Sequence, residues 1–376
     1  MKTITEEDAF YCAGIIESYF GQFNRIDEYM RAQKIQHLSE QPTPITETWE
    51  NELFTDFLLH PKDMKLEIIE INPITWNKLL NITSSHINIA TPGRTLKLAV
   101  IERLSGKYVG FIRISSPIIN CKPRNDMLGQ VFSQKPVWSE AFNNSAMMGY
   151  VIVPSQPFGF NYLGGKLLAG ICCSHYVRRM INKKYDMNLC LFETTSLYGN
   201  TKSVSQYDGM KPYLRHKGNT ESDFIPMING KSFDDLRDYL ESRVGCLVEY
   251  RSTTNKPTSS WKLKTIFKMI QIIQTGLKNH TTKLSEFKQT IQKAKKLTEQ
   301  KRYYISNYGI KNYIDVVAGR TKTLVPDESY CKFELENIIA WWRNKAALRY
   351  ETLVMDGRLK TELEVWNKNT NIEIIR

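Results

Sequence analysis

The chain has 376 residues, enough at about 100–200 residues per domain for two or three domains, and its 41% hydrophobic and 24% charged content excludes wholesale disorder. No apolar run approaches the ~20 residues of a membrane span, and the acidic start Thr5-Glu6-Glu7-Asp8 predicts no secretory signal, so no membrane partner is expected. The net charge is +12, and residues 251–320 hold 15 Lys/Arg against Glu286, Glu299 and Asp315, an excess equal to the whole-chain total. Such a segregated basic block predicts a polyanion partner, DNA above all, in place of a merely solvated helix face.

In chain order, Thr5 with Glu6, Glu7 and Asp8 predicts a capped helix through Tyr19, followed by a second over 24–38. A Pro42/Pro44 turn, a helix over 49–60 ended by Pro61, a strand over 65–71 and a Pro73 helix through Leu80 come next. Residues 96–103 and 108–114 predict a hairpin around Ser105-Gly106-Lys107. The stretch 119–145 is polar and irregular and predicts a long loop. Residues 147–153 predict a strand, 155–161 a turn, 163–184 one long helix and 189–195 a buried strand. Strand, helix and strand make a βαβ unit, so the two strands are expected to be parallel neighbours. An acidic helix is expected over 231–243 with Ser232 at its start, then a Thr/Ser/Pro linker over 251–260. A long basic helix or helix pair over 261–301 and a helix over 331–355 follow. The expected fold class is α/β, with a helical N-terminal extension over 1–90, a mixed-sheet core over 95–245 and a basic helical C-terminal region over 251–376.

Seven cysteines at irregular spacings, without a Cys-x-x-Cys pair, argue against a disulfide framework and for a reducing, cytoplasmic setting (the host's if the source is viral). Six scattered histidines and no clustered carboxylates predict no metal, which weakens a nuclease reading. Cys172-Cys173 and Trp341-Trp342 read as core residues, although the tryptophans have faces on which bases could stack. Two segments carry candidate chemistry. Gln156 to Lys166 joins a strand to a helix start, where free amides and the helix dipole favour an anion; the rival reading is that Gly164 and Gly165 let the helix pack tightly. Glu193 to Tyr207 lies where a central strand ends, the usual ligand position in an open parallel sheet. There Glu193 is expected at the sheet's mouth, partly desolvated, with a raised pKa suited to a general base; its alternative role is to anchor the following loop.

The pattern Gln156-x-x-Gly159-x-Asn161 resembles the pyrophosphate loop of GNAT acyltransferases, with Asn161 where that loop carries glycine or alanine. The run Asn161 to Ala169, then Thr194-Thr195-Ser196-Leu197-Tyr198-Gly199, then the turn Lys217-Gly218-Asn219-Thr220, resembles the core domain of the DruA family of Druantia anti-phage proteins. Lys107 to Ile112 is similar to that domain's preceding hairpin, and the resemblance runs from Leu96 to Val244. A similar motif order occurs in Mom-like phage DNA-modification proteins, which are themselves GNAT-like.

The resemblance implies a nucleic-acid-directed transferase of GNAT-like fold, a phage or mobile-element DNA-modification enzyme using acetyl-CoA or another acyl or aminoacyl donor. Gln156, Gly159, Asn161, Gly164, Gly165 and Lys166 would cradle the donor's phosphates. Glu193 or Tyr198 would be general base to a substrate amine, and Ser203 and Tyr207 would position substrate. Lys211, Arg215 and Lys217 would contact nucleic acid, and from the charge of the basic block Lys293, Lys295, Lys296, Lys301 and Arg302 are expected to do so too. The competing expectation is a non-catalytic DNA-binding or interaction protein of a defence or counter-defence system, in which the same core is a recognition module.

Overall fold

The computed structural model describes residues 3–40, 49–88, 93–118, 120–129, 134–196, 204–221, 227–249, 259–297, 300–367 and 369. The chain folds into two compact units: Met1–His37 with Ser222–Glu299, and Leu38–Glu221 with Gln300–Arg376. The expected segments 1–90, 95–245 and 251–376 are not these units, because each unit is assembled from two separated stretches of chain.

The chain opens with α1 (Glu6–Gly21) and α2 (Ile26–Ser39). A reciprocal cap starts α1: the Asp8 amide donates to Thr5 Oγ1 at 3.1 Å and the Thr5 amide to Asp8 Oδ2 at 3.2 Å. The helix expected over 49–60 is only a 3-10 turn at Glu50–Glu52. The backbone there turns to the sheet instead, where the Phe54 amide donates to the Tyr108 carbonyl and Leu53, Phe54 and Phe57 are buried.

Strand β1 (Leu66–Glu70), helix α3 (Pro73–Thr83) and the hairpin β2 (Thr95–Glu102) and β3 (Lys107–Ser115) follow as expected. The expected loop 119–145 contains two helices, α4 (Lys122–Leu128) and α5 (Pro136–Ser145), each with a proline in its first turn. Their polar sequences hide them. Strand β4 (Ala146–Pro154) leads into α6 (Phe158–Tyr162), α7 (Gly164–Cys172) and α8 (His175–Tyr185). The single helix expected over 163–184 is broken at Ser174, whose Oγ accepts the Val177 amide and caps α8.

Then come β5 (Leu191–Ser196) and β6 (Arg215–Glu221), the latter not foreseen. Helix α9 (Gly230–Val244) begins after Asn229, not at Ser232. Next are α10 (Ser259–Gly276), α11 (Thr281–Lys296), β7 (Gln300–Ser306), α12 (Tyr313–Val317) and α13 (Leu335–Met355). Strand β7 begins where the expected basic helix ends and was not foreseen either.

In the larger unit one sheet has the order β1-β2-β3-β4-β5-β7-β6. Strands β4 and β5 are parallel, as the βαβ reading requires, and the other neighbours are antiparallel. The central strands β3, β4 and β5 are buried on both faces. Leu168 of α7 closes over Gly110, where a methyl would meet Leu168 Cδ1 at 2.6 Å. Phe111, next in the strand, faces the other way and packs with Trp76 and Leu79 of α3. Trp342 of α13 is fully buried and donates Nε1–H to the Tyr162 carbonyl at 2.7 Å, so it is a core residue. In the smaller unit, α1 packs against α9, α10 and α11.

Candidate functional site

Strands β4 and β5 pair only over Ala146–Gly149 and Leu191–Thr194. Beyond that point they part. Strand β4 runs on against β3 to Pro154, and β5 runs on against β7 to Ser196. The two strands therefore diverge in the middle of the sheet, and polar side chains gather on both faces around that point. The polar end of β5 was legible in the sequence; the parting of the strands was not.

On one face Glu193 is fully buried. Arg124 of α4 approaches it with Nη1 at 2.9 Å from Oε2, and Tyr303 of β7 donates its hydroxyl to Oε1. Arg124 also donates to the Ile118 carbonyl at 2.8 Å and lies 4.3 Å from the Phe142 ring centre. Burial pushes the Glu193 carboxyl up, and Arg124 and Tyr303 offset that push by favouring its charge. Glu193 is therefore not at an open mouth, as expected, but closed in by an ion pair and a phenol. Tyr150 of β4 extends the cluster: burial, then the Glu193 charge, push its phenol up to about 12. Arg113 stands 5.1 Å from the Tyr150 ring centre. Cys121 is held as a thiol, pushed up to about 11 by burial and by Glu193.

On the other face the centre is Asp208. Tyr304 donates to its Oδ1 at 2.8 Å; Arg302 Nη1 and the Ser205 amide both approach Oδ2 at 2.9 Å. Burial raises the Asp208 carboxyl, but these partners and Lys166 outweigh it and hold the group below its usual range. Lys166 Nζ donates to the carbonyls of Gln206 and Asp208, and His216 lies 5.4 Å from the Tyr304 ring. Tyr207 is buried, packs edge-on to Tyr304 at 5.3 Å and bonds Thr194. Adjacent residues of one strand thus serve opposite faces, Tyr303 reaching Glu193 and Tyr304 reaching Asp208.

The expected phosphate cradle is folded differently. The Gly159, Phe160 and Asn161 amides donate to the Ser155 carbonyl, Gln156 Oε1 and the Pro157 carbonyl. A methyl on Gly159 would meet Gln156 Nε2 at 2.4 Å, and one on Gly164 would meet Phe158 and Pro154 at 2.8 Å. Asn161 is buried, and its Nδ2 donates to the Lys360 carbonyl at 2.7 Å. At Gly165 the Gln206 side chain fills the space. Gln156, Gly159 and Asn161 are thus engaged in holding the loop, and their arrangement does not fit a coenzyme A pyrophosphate.

Tyr198 and Ser203 lie outside the described residues. The expected nucleic-acid contacts divide. Lys293, Lys295 and Lys296 belong to α11 in the smaller unit, while Lys211, Arg215, Lys217, Lys301 and Arg302 belong to the larger. Arg215 and Lys217 sit on the outermost strand β6, and Arg302 is committed to Asp208. Among the described residues no group of three metal-ligating side chains occurs, and no helix is long and apolar enough to cross a membrane.

Sequence reasoning missed Arg124, Tyr150, Tyr303, Asp208 and Tyr304. For Tyr303 and Tyr304 a signal existed in the β-favouring run Tyr303-Tyr304-Ile305; for Arg124, 69 residues from its partner, there was none. A family model described as Druantia protein DruA matches residues 22–210. No curated protein and no solved structure matches the chain.

Proposed function

The chain belongs to the DruA family of Druantia proteins, a defence-system family, and from that premise we propose that it is a nucleic-acid-directed transferase whose reaction site is the point where β4 and β5 diverge. The observation that carries this reading is the parting of the two parallel strands beyond Gly149 and Thr194, with the buried Glu193, bonded by Tyr303, one residue before it and Tyr150 one residue after it. Two strand edges that no longer pair with each other offer backbone donors and acceptors to an extended donor molecule. The succession of hairpin, strand, turn, helix and parallel strand supports the GNAT-like resemblance.

The acceptor is DNA in this reading, on the strength of the +12 net charge. The residues of the loop 156–161 are bonded within the loop and do not fit coenzyme A. What the chain's own residues do is position. Glu193 accepts from both Arg124 and Tyr303, so the guanidinium and the phenol are held in set orientations. A substrate amine must lose a proton as it attacks, and a carboxylate that burial makes more basic, reached through the Tyr303 hydroxyl, would take it.

A second reading, a non-catalytic recognition module in a defence system, is favoured by the complete burial of Glu193 in its ion pair. Mass spectrometry of DNA nucleosides from cells expressing the protein separates the two. A new nucleoside mass that disappears with Tyr303→Phe, while the variant stays folded, supports transfer. Unchanged DNA from cells in which the wild-type chain is active leaves the recognition reading.

A further inference from the structure

We propose that α11 docks in the major groove of duplex DNA, with its lysines on phosphates and Gln289 and Gln292 turned to the base edges. This rests on the reading that DNA is the partner and names the element that meets it. The helix has two distinct faces. Phe287, Ile291 and Ala294 are buried, the side on which α1 packs. Lys283, half-buried, pairs with Glu17 at 2.6 Å. On the opposite side Ser285, Lys288, Gln289, Gln292, Lys293 and Lys296 are all exposed and together line one open face.

Their spacing of three and four residues is that of a single helical stripe. The stripe contains no acid. Over Thr281–Lys296 there are five lysines and one acid, Glu286, which lies 3.8 Å from Lys283 and outside the stripe. A helix evolved only for solubility interleaves acids with its lysines at i,i+4, and this one does not. Lys293 Nζ reaches Asn24 Oδ1 at 3.3 Å, a neutral contact that leaves its charge available to a polyanion.

The dimensions fit. Lys288 and Lys296 are two turns apart, about 12 Å along the axis. The B-form major groove is about 12 Å wide and admits a helix. Glutamine between flanking cations is a side chain able to pair with an adenine edge. The stripe lies outside residues 22–210, so this contact would be carried by a part of the chain beyond the matched family region.

The test uses the full chain and a labelled B-form duplex, with affinity measured across a salt series. The variant Lys288→Gln/Lys293→Gln/Lys296→Gln changes only exposed side chains, and circular dichroism checks its fold. If each lysine holds one phosphate, the log–log salt slope should fall by about 0.9 per lysine and low-salt affinity should drop at least tenfold. Gln289→Ala/Gln292→Ala should leave the slope alone and flatten differences between duplex sequences. Wild-type binding to the duplex with the lysine variant unchanged overturns the α11 proposal and leaves the DNA reading standing. No binding to any DNA overturns both. Preference for double-stranded RNA, whose major groove is too narrow for a helix, overturns the docking mode.

Discussion

Glu193 and Arg124 are both fully buried and joined at 2.9 Å, so removing either charge strands the other in the interior. Glu193→Gln keeps the shape but removes the negative charge beside the buried guanidinium, and about 3–5 kcal/mol of stability should be lost. Arg124→Met alone should cost as much. Combining Arg124→Met, Glu193→Leu and Tyr303→Phe removes the ion pair together with the phenol that bonds it and should recover most of the loss; chemical denaturation of the four proteins reads this directly. A triple variant as unstable as the singles would show that shape, not charge, dominates the site. Asp8 gives a prediction in pH. Its carboxyl is held down at about 2, first by the Tyr239 hydroxyl and then by Thr5. The folded pKa lies below the unfolded value of about 3.9, so the contribution is complete above that value and is lost as pH falls towards about 2. Asp8→Asn should therefore be less stable than wild type at neutral pH, and the two denaturation midpoints should converge as pH falls through that window.

At the scale of elements, the segment around α6 and α7 is a packing device. A Cβ at position 164 would meet Phe158 and Pro154 at 2.8 Å, atoms that belong to the wall of the core. Gly164→Ala should cost about 1–3 kcal/mol through overpacking. Gly14, in the interior of α1, has nothing within 4 Å of the same position. Gly14→Ala should stabilise by about 0.5–1 kcal/mol, because alanine loses less backbone entropy in a helix. Thermal unfolding of the pair checks both, and a neutral Gly164→Ala would return that position to consideration as an open ligand approach. The α4 and α5 helices matter for a different reason. Each is short and polar, yet α4 supplies Arg124 and α5 supplies Phe142, on which the Arg124 guanidinium rests.

At the scale of the whole molecule, the sheet is completed from far along the chain. Strand β7 lies between β5 and β6, although α9, α10 and α11 intervene in sequence. A chain ended at Val244 would lose β7, leave β5 as an unpaired edge beside β4 and deprive Glu193 of Tyr303 and Asp208 of Arg302 and Tyr304. It would also lose α10 and α11 from the smaller unit. Such a fragment should fail to give a cooperative unfolding transition and should aggregate through the exposed strand edge. Light scattering and calorimetry would show this, and a monomeric, cooperatively folding fragment would mean that β7 is dispensable.

Some of the local elements follow from neighbouring residues alone. The Thr5–Asp8 cap, the Pro73 helix start, the β2–β3 hairpin and the apolar run before Thr194 are each written in a few neighbouring residues, where caps, turns and periodicity act. The parallel pairing of β4 and β5 followed from the helix between them. Glu193 and Lys166 stand out in the sequence, but their partners in the fold do not. Arg124 is 69 and Tyr303 110 residues from Glu193, and Arg302 is 94 from Asp208. Only the tertiary structure decided those pairings, the parting of β4 and β5 and the place of β7. A buried charge takes whichever donor the packed core brings within hydrogen-bond reach, and that choice is made by burial across the whole sheet, not by the residues beside it in the chain.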